Sequence, residues 1–174
     1  MNLPFVLLTA ALTVAPELPP LKTVSQVDIH RYLGTWYEIA TIPQHFQKGC
    51  TAVRATYSLR PDGKIQVVNS CRKDSLTGKP KSVTGVAWVV DRNTNAKLKV
   101  RFFWPFSGDY WIIELDSLNY QYAVVGHPNR KYLWILCRQP EMDDGLYQQL
   151  LERIAEHGYD LSRILKTPQP KPGS

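Results

Sequence analysis

The sequence predicts an all-β domain: an eight-stranded antiparallel up-and-down barrel with an α-helix packed on its outside. Three observations point there. Short runs rich in β-branched and aromatic residues recur at intervals of about 8 to 15 residues between turn-forming residues. In one of them Lys97, Lys99 and Arg101 alternate with Leu98, Val100 and Phe102, so one face meets water and the other does not. After the last run the period changes: Leu146, Leu150 and Ile154, with Tyr147 and Leu151 beside them, make a helical stripe. A chain of 174 residues, 44% hydrophobic, is long enough for one sizeable core and too short for two ordinary domains with a linker.

The elements follow in chain order. Residues 1–15, with Phe5, Leu7, Leu8, Leu12 and Ala15, are apolar throughout but too short to span a bilayer, and read as a signal peptide. Export to a periplasm or the extracellular space is therefore expected. No Cys precedes Cys50, so no lipoprotein anchor is expected at a new N-terminus. Residues 16–27, with Pro16, Pro19 and Pro20, read as a mobile lead-in, and residues 167–174, with Pro168, Pro170 and Pro172, as a mobile tail. The domain itself is expected over 28–166.

It opens with a short helical turn at 28–33, stopped by Gly34. Eight strands are expected at 36–41, 51–60, 64–72, 81–90, 96–103, 109–115, 121–126 and 132–138. Pro61-Asp62-Gly63 joins the second and third as a tight hairpin, because Pro presets φ and Gly accepts positive φ. Asp91-Arg92-Asn93-Thr94-Asn95 joins the fourth and fifth. The helix that follows is capped by Asp143 and stopped at Gly158. A one-sided helix must lie on an apolar surface, and the barrel's outer wall supplies one. Sequential antiparallel strands with one apolar face remove their edges by closing, and eight strands leave an interior able to hold one small ligand.

Gly34-Thr35-Trp36-Tyr37-Glu38-Ile39-Ala40, straight after the helical turn, resembles the Gly-x-Trp-Tyr signature that opens the lipocalin barrel. The stretch from Asp116 to Tyr120 resembles that family's second motif in altered form, and Arg138 matches the single Arg of the third. The resemblance runs from about Asp28 to about Ile164, and the wording of Tyr57-Ser58-Leu59, Pro61-Asp62-Gly63 and Gly158-Tyr159-Asp160 is closest to bacterial lipocalins and apolipoprotein D. It implies a carrier of small hydrophobic molecules. Trp36 is expected to plug the closed end, with the Arg138 guanidinium stacked on its indole and donating to backbone carbonyls.

With Arg138 inside, alternation turns Trp134 and Leu136 inward and Tyr132 toward the mouth. The same reasoning, anchored on solvated charges, turns Val100 and Phe102 inward with Leu98, and Trp111 and Ile113 inward opposite Glu114. Ala55, Tyr57, Val67, Asn69 and Ala87 complete the expected lining. Such a cavity suits an acyl chain or another flat hydrophobe, a fatty acid or lysophospholipid.

The loops at 42–50, 73–80, 104–108 and 127–131 share the open rim. They and their flanks carry Lys48, Arg72, Lys73, Lys79, Lys81, Arg130 and Lys131 against Asp74 and Asp109. At the closed end Arg60, Lys64 and Arg92 are matched by Asp62, Asp91 and Asp116. A basic mouth beside Phe46, Trp104 and Phe106 would attract anionic head groups or an anionic membrane such as an outer membrane. The net charge of +6 comes with no basic stripe or recognition helix, so nucleic acid is not an expected partner. The sequence sets no oligomeric state, and a dimer is compatible with it.

Of three cysteines, Cys50 and Cys71 fall at the mouth on adjacent strands and are expected to bond, which fits export; Cys137 faces outward under the helix. Some lipocalins are enzymes with a cysteine inside the barrel, so an isomerase using a reduced Cys71 is the rival class, and a filled barrel serving as an interaction module is a third. His45 and His127 on rim loops are too few for a metal site. No cofactor or catalytic set stands out.

Overall fold

The computed structural model describes residues 18–44 and 47–171. The expected signal peptide, His45 and Phe46 lie outside the described residues.

The β-branched runs form β1 (Gly34–Ile42), β2 (Cys50–Leu59), β3 (Ile65–Lys73), β4 (Pro80–Val89), β5 (Lys97–Phe103), β6 (Phe106–Leu115), β7 (Tyr122–Gly126) and β8 (Leu133–Cys137). Each pairs antiparallel with the next, and β1 pairs with both β8 and β2, so the sheet closes. α1 (Ile29–Tyr32) precedes the barrel and α2 (Asp144–Glu156) follows it. A two-residue β9 (Leu165–Lys166) then adds to β1. No helix among the described residues is long and apolar enough to cross a membrane.

Closure divides the apolar side chains into two cores. The inner one holds Trp36, Tyr57, Ile65, Val67, Ala87, Leu98, Ile112, Ala123, Val125 and Leu136. The outer one joins Ile42, Ile113, Val124, Leu133, Ile135 and Cys137 to Tyr147, Leu150 and Ile154 of α2. The helix stripe thus lies on the β1–β8–β7–β6 wall. Asp143 caps α2 by accepting from the Leu146 amide at 2.9 Å, and Gly158, at φ +83°, turns the chain after His157. Beyond the stripe, Glu114 of β6 receives His157 Nε2 at 2.9 Å and Arg153 Nη1 at 3.4 Å, fixing the end of the helix.

Three expectations change. Trp111 and Ile113 face the outer core, and Tyr110 and Ile112 face the interior. A bulge opposite β7 causes this: the register passes from Ile112↔Val125 to Glu114↔Val124, so Ile113 is an extra residue and faces outward like Glu114. Alternation counted back from Glu114 is therefore off by one. Second, the rim loop at 104–108 is a two-residue turn, Trp104–Pro105, with Phe103 paired to Phe106. Third, the lead-in and tail are held. Leu21 and Val27 are buried, the Val24 and Val27 amides donate to Ile112 and Thr94 carbonyls, and Thr167 and Gln169 bond to β1.

Candidate functional site

The closed end is built around Trp36, which is fully buried and donates Nε1–H to the Tyr32 carbonyl at 2.8 Å. The Arg138 guanidinium lies 3.8 Å from the indole centroid and donates to the carbonyls of Tyr120 (3.1 Å), Thr35 (3.0 Å) and Arg31 (2.7 Å). Gly34 makes room for it: its φ is +93°, and a Cβ there would sit 3.3 Å from Arg138 Nη1. Asp116 caps the β6–β7 turn by accepting from the Leu118, Asn119 and Gln121 amides, and the Tyr120 hydroxyl accepts from the Asp28 amide. Tyr37 stands on the opposite face of β1 from Trp36, level with Arg54 and Cys137.

Above this plug lies a polar floor. The hydroxyls of Tyr32, Tyr110 and Tyr57 form a chain, 2.8 Å and 2.9 Å between oxygens. Burial pushes all three hydroxyls up, Tyr57 to about 12, so they stay neutral and donate.

Over the floor opens a chamber of about 390 Å³, within the size range of small-molecule sites. Its walls are Ala55, Tyr57, Val67, Asn69, Val100, Phe102, Tyr110, Trp134 and Leu136, and toward the mouth come Gln47, Phe103, Phe106, Asp109, His127 and Tyr132. Of the expected lining, Ala87 points inward but packs into the inner core away from the chamber wall. Trp111 and Ile113 lie on the outer face, and Phe46 is outside the described residues. At the rim His127 meets the Tyr132 ring edge-on at 5.9 Å and lies 3.8 Å from Asp109, which also pairs with Lys99 at 3.1 Å.

One wall residue goes against the apolar pattern. Glu38 is 4% exposed and lines the chamber; its carboxylate oxygens receive Thr167 Oγ1 at 2.6 Å and Gln47 Nε2 at 3.2 Å. Burial raises its pKa against the lowering effect of those two bonds. The two-residue period counted from Trp36 points to Glu38, so its inward side chain was open to sequence reasoning. Tyr110 was hidden by the β6 bulge.

A family profile described as "Lipocalin-like domain" matches residues 27–169. The chain belongs to the lipocalin family. Among known lipocalins it is 42% identical over 162 residues to temperature-induced lipocalin-1 of Arabidopsis thaliana, covering 88% of this chain and 85% of that protein. It is 42% identical to outer membrane lipoprotein Blc of Escherichia coli K12, covering 87% and 86%, and 34% identical to apolipoprotein D of Macaca fascicularis, covering 87% and 80%. Among solved structures, insecticyanin from the tobacco hornworm Manduca sexta superposes with a TM-score of 0.71 at 20% identity, covering 89% of this chain and 87% of insecticyanin, which shows the shared fold.

Lipocalins bind small hydrophobic ligands, and the chamber of this one is apolar and aromatic with a polar floor. Its Cys50 and Cys71 form a disulfide, Cα atoms 5.5 Å apart, from the start of β2 to β3 at the mouth. With its sulfur in that bond, Cys71 offers no thiolate to the interior. Cys137 is buried in the outer core, its sulfur 3.8 Å from the Glu141 carbonyl. Among the described residues no three His, Cys, Asp or Glu groups gather to hold a metal ion.

Proposed function

We propose that this lipocalin is an exported carrier that takes one single-chain amphiphile, of the fatty acid or lysophospholipid type, into its barrel for membrane lipid storage, transport or repair. The observation that carries this reading is the chamber of about 390 Å³ between Val67, Val100, Phe102 and Trp134, open at a rim that places Phe103, Trp104 and Phe106 in solvent at 71%, 81% and 78% exposure. Burying an acyl chain against such walls contributes about 25 cal/mol per Å² of apolar area removed from water, and the tyrosine floor limits how deep the chain goes. The acyl end enters first, because an ionic head is far cheaper to keep at the solvated mouth than beside Glu38. The three exposed aromatics cap one hairpin, Lys81 shares a hollow with Phe103, and Lys73 and Lys79 stand at the β3–β4 connection of the same rim, a combination that favours loading from an anionic bilayer surface.

Native mass spectrometry of the protein, purified without detergent and then offered palmitate or a palmitoyl lysophospholipid, is expected to show one adduct per barrel. Ala55→Trp, which fills the chamber, is expected to weaken displacement of an environment-sensitive fatty probe by about tenfold or more. Absence of any adduct, or an Ala55→Trp variant that binds as well as the parent, overturns the carrier reading. Flotation with anionic vesicles is expected to fall with added salt and in Trp104→Ser/Phe106→Ser.

A further inference from the structure

The barrel is not zipped along its whole length. The β1–β2 ladder covers only Gly34 to Tyr37 against Tyr57 to Arg54. Above that level the two strands part, and the chain after α2 fills the gap. Ala40 and Thr41 pair with Lys166 and Leu165, the Thr167 amide donates to the Ile39 carbonyl at 2.9 Å, and on the far side the Ala52 amide donates to the Pro168 carbonyl at 2.8 Å. Leu165 is 57% exposed and Lys166 is exposed too, so no apolar core holds this segment down.

On its outer side Lys166 makes an exposed ion pair with Asp144 at 3.6 Å and lies 4.6 Å from the Tyr147 ring; on its inner side the hold is polar and centred on Glu38, at the point where the seam opens. Thr167 Oγ1 donates to the Glu38 carboxylate at 2.6 Å, and Gln169 Nε2 bridges the seam, reaching the Glu38 and Val53 carbonyls at 2.8 Å each. Directly behind the segment is a second hollow of about 450 Å³, which shares Glu38, Gln44, Gln47 and Val53 with the main chamber. Among the described residues, these four side chains line both spaces.

Building on the carrier reading above, we propose that residues 165–169 form a releasable strap over a lateral entrance to the chamber, with Glu38 as its latch. Lifting the strap costs a few solvent-replaceable hydrogen bonds and the exposed Lys166 contacts, with almost no apolar burial, and leaves every strand-to-strand ladder of the eight-stranded barrel paired. An acyl chain then enters through the side of the barrel and its head stays outside, without threading past the aromatic rim. Glu38 is a positioning residue here: it holds the strap and need not touch the ligand.

Two measurements test this, and they separate it from the carrier reading. In the ligand-free protein, hydrogen exchange is expected to be at least about tenfold faster at the Thr167 and Ala52 amides than at amides of the lower β1–β2 ladder. Equal protection makes the strap a fixed wall and overturns the proposal, whether or not any lipid binds. In stopped-flow mixing with a fluorescent polyene fatty acid, Thr167→Val/Gln169→Leu is expected to raise both association and dissociation rates about tenfold, with Kd kept within about twofold. Thr167→Ser, which keeps the hydroxyl donor to Glu38, is expected to stay near the parent rates. Unchanged rates in the double variant, or a rise in dissociation alone, overturn the side entrance. Failure of the parent protein to bind the probe counts against the carrier reading, and the exchange measurement then decides the strap.

Discussion

At the scale of single residues, the closed end is an assembly around one guanidinium. Arg138 stacks on Trp36 and satisfies carbonyls from α1, β1 and the β6–β7 turn at once. A lysine carries the charge but not the planar fork. Arg138→Lys is expected to cost about 2 to 3 kcal/mol, read from urea unfolding, because several carbonyls lose their donor and the indole loses its stacking partner. The tyrosine floor gives a pH dependence of definite sign. Tyr57 titrates near 10 when unfolded and about 12 when folded, and Tyr32 and Tyr110 are raised as well. The Tyr57 contribution to stability is complete below pH 10 and is lost as pH rises through 12, and those of Tyr32 and Tyr110 are lost in the same direction. Ultraviolet titration of the folded protein is expected to leave these phenols silent at pH 11, and thermal unfolding to fall steeply above pH 10; normal titration of every tyrosine would contradict the buried chain.

At the scale of elements, α2 is held to the barrel by its stripe and its ends. Asp143→Ala removes the acceptor for the Leu146 amide and is expected to cost about 1 kcal/mol, visible as a lower Tm. This helix was legible in the sequence because its period, cap and terminal glycine agree. The strands were legible for the same reason, and on β8 the single anchor Arg138 sufficed to turn Trp134 and Leu136 inward. On β6 the same logic failed at one residue. Ile113 is inserted into the ladder, and nothing in the composition of Trp111-Ile112-Ile113-Glu114 marks which of two adjacent isoleucines is extra. The strap was illegible for a different reason: two paired residues have no period, and Pro168 and Pro170 read as a loose end when their neighbours' side chains are in fact bonded to β1.

At the scale of the whole molecule, the mouth is held by a covalent link as well as by hydrogen bonds. The Cys50–Cys71 bond ties strand ends 21 residues apart. Cys50→Ser is expected to lower stability by about 3 kcal/mol on the loop-entropy estimate, measured by denaturant titration against the oxidised parent. The chamber floor, far from that bond, is expected to keep its phenol titration in the variant. The placement of the third cysteine also bears on how the chain reaches its oxidised form. Cys137 is sealed beneath α2 on the outer wall, while its two potential partners stand at the mouth. Once the helix has docked, scrambled isomers are out of reach, and an oxidising compartment can yield only the native linkage. The packed helix thus guards the odd thiol, and the folded chain permits a single pairing of its three cysteines.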